Sequence, residues 1–146
     1  MWLLLSLCLS AKAERPPKDL LRDGMIGLST WSISNFATSA APAMYTTDPE
    51  WKAYHQMNIG WNTVNLALAT SALLRKTQPE PKTLARVFWI NCALDVAYIA
   101  GGLLLKQRGE AQNNPQWQGW GSSIALQGSF LLVFDGVMGF GFQQYK

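Results

Sequence analysis

The Lys, Arg, Asp and Glu residues of this chain fall into short blocks, and the stretches between the blocks are too long for a protein that folds in water. Residues 24–47 and 53–74 carry none of the four types, 87–105 carry only Asp95, and 111–145 carry only Asp135. A soluble amphipathic helix needs charge recurring along its outward face. These runs offer none. Each approaches or exceeds the roughly 20 residues that a helix rising about 1.5 Å per residue needs to cross a hydrocarbon core about 30 Å thick. The 146 residues therefore read as one all-α unit, an integral membrane four-helix bundle with a polar interior layer, spanning at about 24–45, 53–74, 87–105 and 119–142.

Mean hydropathy is only slightly positive, because Ser, Thr, Asn, Gln and Gly are frequent inside the runs. Spans this polar are expected to face one another more than lipid. The net charge of +3 sits in loops flanking hydrophobic runs and not in a patch interleaved with aromatics, so nucleic acid is not an expected partner. Membrane lipid is the expected partner, with a homo-oligomer or larger membrane complex as a further possibility. Cys8 and Cys92 form neither a disulfide framework nor a metal-type pair.

Residues 1–13, MWLLLSLCLSAKA, form a signal-like or interfacial segment ending in Ala11-Lys12-Ala13, which has the form of a small-residue cleavage site. Residues 14–23 are a charged lead-in that turns helical at Lys18. Asp48-Pro49-Glu50, Pro79 with Pro81, and Asn113-Asn114-Pro115 read as turns or loops between spans. Tyr45, Trp51, Tyr54, Trp117 and Trp120 gather on the face that receives the first and third connectors, as an interfacial belt. Arg15, Lys18, Arg22, Arg75, Lys76, Lys82, Arg86 and Lys146 gather on the other, which by the positive-inside rule is cytoplasmic. A cleaved signal peptide implies the inverse orientation, so the two signals oppose each other. The expected location is multi-pass in a membrane.

Within the spans the polar residues are periodic. Asn58, Asn62 and Asn65 share one face of the second, and Asn91, Asp95 and Tyr98 repeat their spacing 33 positions later in the third. Counting rise places Asn35, Asn62, Asn65, Asp95, Tyr98 and Gln127 near the bilayer midplane, with His55 and Asn58 toward the aromatic belt and Asn91 and Asp135 toward the basic face. The expectation is one layer to which all four spans contribute. Interhelical hydrogen bonds contribute about 0.6 kcal/mol each in a membrane host, so the amides suit a structural role that fixes register. Small residues suggest close approach along Ala93, Ala97 and Gly101 of the third span, along Thr63, Ala67 and Ser71 of the second, and at Gly136, Gly139 and Gly141.

The two acids weigh differently. A charged Asp at mid-membrane costs about 2.5–3.5 kcal/mol even on the lenient insertion scale, which marks Asp95 and Asp135 as candidate ligand-binding or proton-carrying groups. His55 has no second histidine for paired ligation of a haem or pigment, and a partner-satisfied interfacial role suits it better. No metal site, named cofactor or catalytic residue is assigned. Ser-His-Asp order, HExxH, a Gly-rich phosphate loop and paired cysteines are all missing from the sequence.

Three linked motifs carry a resemblance: His55-Gln56-Met57-Asn58 with Trp61-Asn62 and Asn65; Asn91 with Leu94-Asp95, Tyr98 and Gly101-Gly102; and Gln127-Gly128 with Leu131 and Phe134-Asp135. From about Gly24 to Phe142 the chain resembles a family of small uncharacterised polytopic bacterial membrane proteins, a domain of unknown function. It departs in the first span, where Ser and Thr stand around Trp31 and Asn35 in place of an expected Gly-rich stretch. The resemblance implies four helices, a polar core, often a signal-like start and a multi-pass location in a bacterial inner (plasma) membrane, and supplies no activity. The expected function is a non-enzymatic binding or accessory subunit, whose polar layer stabilises the bundle or holds a small polar or lipidic ligand. A transporter or proton-conducting subunit using Asp95 and Asp135 is the first alternative, and a membrane enzyme pairing an Asp with His55 the second.

Overall fold

The computed structural model describes residues 16–145, so the signal-like opening lies outside the described residues. All regular structure among them is α-helical: α1 (Pro17–Tyr45), α2 (Pro49–Leu74), α3 (Pro81–Ala111) and α4 (Pro115–Gln143). Every helix begins on a proline. At the first helical position the missing N–H is one that has no intrahelical partner in any case, and the fixed φ already suits the helix. Asp48 caps α2 by accepting from the Glu50 and Trp51 amides at 2.9 and 3.0 Å, and Asn114 caps α4 by accepting from Trp117 N at 3.2 Å. Thus Asp48-Pro49-Glu50, Pro81 and Asn114-Pro115, read from sequence as turns, are helix starts. Proline after a polar residue serves both purposes, and only the residues that follow decide between them. Asn113, at φ 51°, turns the chain between α3 and α4 in the left-handed conformation that Asn tolerates.

Short connectors at 46–48, 75–80 and 112–114 give an up-down-up-down bundle. Residue pairing confirms the directions. Asn35 and Ser39 of α1 meet Asn58 and His55 of α2 in reverse order, whereas Tyr54 and Asn58 of α2 meet Gly119 and Gln127 of α4 in the same order. Helix α4 is the centre, touching the other three, while α3 packs extensively on α4 alone.

The α3–α4 seam is backbone on backbone. A Cβ added to Gly102 would lie 2.7 Å from Ala125 N, one on Gly109 would lie 2.7 Å from Gln118 N, and one on Gly121 would strike the Gly102 carbonyl. The small-residue stripe expected at Ala93, Ala97 and Gly101 is instead exposed, and a Cβ at Gly101 would meet nothing within 4 Å. The stripe at Thr63, Ala67 and Ser71 is exposed as well. Small residues allow approach on whichever face a neighbour arrives, and Gly102, one position on, is the face that α4 takes.

An apolar cluster closes one end of the bundle, with Leu21, Met25 and Leu28 from α1, Ala69 from α2, Ala85 and Phe88 from α3, and Met138 and Phe142 from α4. Beyond it the usual distribution reverses. Ser32, Ser39, Asn58, Asn62, Asn65, Asp95, Ser123, Gln127 and Asp135 are buried, while Ile33, Val64, Leu68, Ile90, Val96, Val133 and Val137 are each more than half exposed. Outward hydroxyls turn back onto their own helices: Thr30 donates to Ile26 O at 2.9 Å, Thr63 to Ile59 O at 2.8 Å and Ser129 to Ala125 O at 2.8 Å. Helices α3 and α4 are long and apolar enough to cross a membrane. Helices α1 and α2 fall short of the four-span expectation on composition, because Ser, Thr and Asn recur along both.

Candidate functional site

The polar side chains expected in one layer form two groups with different chemistry. The first is enclosed by α1, α2 and α4. Gln127 lies at its centre, accepting from Trp31 Nε1 at 3.0 Å and donating through Nε2 to Asn35 Oδ1 at 3.3 Å and to Asn58 Oδ1. Asn58 in turn donates to Asn35 Oδ1 at 2.9 Å and to Ser39 Oγ at 2.7 Å, and Ser39 Oγ pairs with His55 Nδ1 at 3.1 Å. Asn62 donates to the Asn58 carbonyl at 2.8 Å. Apart from Asn62 Oδ1, which has no partner, these groups are engaged with one another and tie three helices together. His55 also stacks on Trp51 at 5.3 Å and meets Tyr54 edge-on at 5.1 Å.

The second group lies between α2 and α3, which follow one another in the chain yet do not pack along their lengths. Their rings meet where Trp61 touches Tyr98, edge to face at 4.9 Å. Below that contact a lateral cleft of about 580 Å³ opens. Its walls are apolar, including Met57, Val64, Leu68, Leu94 and Leu131, and its polar lining is Asn65, Asn91, Asp95, Tyr98 and Asp135. The periodicity that puts Trp61 one turn from Asn65 puts Tyr98 one turn from Asp95, so each wall presents an aromatic ring beside a polar group.

Two groups in this cleft are deeply buried and have a polar atom without a hydrogen-bond partner. Asn65 is 4% exposed and its Nδ2 meets no acceptor; Asp95 is 2% exposed and its Oδ2 meets no N–H or hydroxyl donor. Asp95 and Asp135 line the same cleft as Asn91 and lie close enough to interact electrostatically. Carboxylates accept and do not donate, so the Asp–Asp contact is a hydrogen bond only when a proton lies between the two acids. Leaving a buried donor or acceptor unmade costs about 1–3 kcal/mol, a penalty that a ligand supplying the missing partners removes. No Lys, Arg or His lines the cleft.

The structure therefore joins Asn35, His55, Asn58, Asn62 and Gln127 in one network and brings Asn65, Asn91, Asp95 and Asp135 to one cleft. Tyr98 stands at the rim, 41% exposed. The single layer divides because α3 packs extensively only on α4, and no α3 side chain enters the α1–α2 network. Asp95 and Asp135, placed at different depths by rise counting, share one site, and His55 belongs to the other cluster, away from both acids. Trp31 and Ser39 were missed by sequence reasoning. Their signal was the fourfold spacing of Trp31, Asn35 and Ser39 along the first span, a stripe matching the one read on the second. Among the described residues no three of His, Cys, Asp and Glu gather as metal ligands.

Compared with known proteins, the chain matches the model of a family of unknown function over residues 27–136. No curated protein and no solved structure matches it.

Proposed function

Since the chain belongs to DUF6992, a family of unknown function whose matched segment holds both polar clusters, we propose that it is a membrane-embedded, non-enzymatic binding protein. Its cleft between α2 and α3 takes an amphiphile sideways from the bilayer. The polar head lies on Asn65, Asp95 and Asp135, and the apolar part lies along Leu68 and Leu94. One observation carries this reading. A cavity with apolar walls ends on two buried polar groups whose partners the protein itself does not supply. Buried polar groups in folded proteins are otherwise almost always satisfied.

The membrane half of the proposal rests on the reversed burial pattern and on hydroxyls bonded back to their own helices. Both suit hydrocarbon, where every polar group needs an internal partner. In this reading all four helices cross the plasma membrane of a bacterium, α1 and α2 tolerating their amides because these face α4 and each other. The test is extraction followed by ligand analysis. The protein is expected to resist alkaline extraction from membranes, and, purified in mild detergent, to carry an amphiphile by native mass spectrometry that Leu68→Trp, which fills the cleft, removes. Release by alkali would overturn the membrane assignment, and bound mass unchanged by Leu68→Trp would overturn the cleft. Transport using the two acids in sequence is the weaker reading, because carboxyls in contact make one station and not two.

A further inference from the structure

Resting on that reading, we infer that the cleft selects an amphiphile whose head is a primary amine. Asp95 and Asp135 face each other among apolar side chains, and the cleft presents no basic residue to offset them. Like-charged carboxyls this close disfavour double ionisation, and no basic side chain of the cleft offsets the negative charge of a singly ionised pair. A single ammonium group balances it. An ammonium also brings three N–H donors, and Asp95 Oδ2 is a buried acceptor with none.

The surroundings agree with a cation. Trp61 and Tyr98 flank the polar floor one helical turn from Asn65 and Asp95, and Phe88 and Phe134 line the same cleft. Aromatic faces attract cations, most strongly where water is excluded. A carboxylate or phosphate head would instead meet two acids, with only neutral donors of Asn65, Asn91, Tyr98 and Trp61 to receive it. A neutral hydroxyl fits the space and leaves the charge unbalanced. Asn65 Nδ2, the free donor, suits an oxygen carried beside the amine, as in an amino alcohol.

The experiment uses the full chain in nanodiscs of neutral lipid and three probes that differ only in the head: dodecylamine, dodecanol and dodecanoate. Occupancy per chain is read by native mass spectrometry against Leu68→Trp as the blocked control. Dodecylamine is expected to bind at least about tenfold more tightly than dodecanol, with dodecanoate weakest, a factor corresponding to about 1.4 kcal/mol. In Asp95→Asn/Asp135→Asn the amine preference is expected to vanish while dodecanol still binds. Equal affinity of amine and alcohol for the wild-type chain, or preference for the acid, would overturn the inference and leave the cleft standing. Binding of none of the three, or binding that Leu68→Trp does not reduce, would overturn both. The wild-type comparison decides the matter even if the double variant does not fold.

Discussion

Gln127 and Asn65 are both buried amides, and their surroundings predict opposite responses to truncation. Gln127 is bonded to Trp31, Asn35 and Asn58 on two other helices. Gln127→Leu strands those partners, and is expected to lower resistance to denaturation in mixed micelles by about 1–2 kcal/mol, toward the upper end for single membrane hydrogen bonds. Asn65 Nδ2 has no partner to strand. Asn65→Leu is therefore expected to leave the same denaturation curve unchanged or raise it by up to about 1 kcal/mol, while weakening amphiphile binding in the assay above. A large loss of stability in Asn65→Leu would show that this amide holds the fold and is not reserved for a ligand.

At the scale of elements, the closeness of α3 to α4 is set by glycine. Gly102→Val is expected to cost about 2–3 kcal/mol or more, because the new atoms meet Ala125 N and the Gly121 carbonyl, backbone that cannot move aside. Gly101→Ala is the control. It meets nothing within 4 Å and replaces a poor helix former, so an unchanged or slightly higher stability is expected. The same denaturation titration reads both. Equal losses from the two would show that helix propensity and not contact matters at this seam. Sequence reasoning located the small-residue signal on α3 but assigned it to the face one residue away. Composition shows that a helix has a slim side available, whereas the position of the neighbour shows which side is used.

For the whole molecule, the bundle directions place the starts of α1 and α3 at the end where α2 and α4 finish. Cysteines introduced at Lys76 and Lys18 are thus expected to react with an impermeant maleimide from one side of sealed vesicles, and one introduced at Asn113 from the other. Labelling of all three from the same side would refute four crossings. The two cues to absolute orientation in the sequence oppose each other, and the same experiment in oriented vesicles decides between them.

Much of this architecture is legible before any coordinates. Long intervals without charge, each ended by a polar block, fix the number of helices, and a period of three to four residues fixes which side of each carries Asn58, Asn62 and Asn65 or Asn91 and Asp95. Periodicity is a property of one helix, so it determines the face and not the neighbour. That face belongs to α4 and α1 for the upper part of α2, and to an open cleft for the lower part, a division set by the close α3–α4 seam, which draws α3 away from α2. The pairing of Asp95 with Asp135 and the unpartnered amide of Asn65 follow from that packing, because contacts between helices depend on which backbones can approach and are not encoded in the spacing along any one of them.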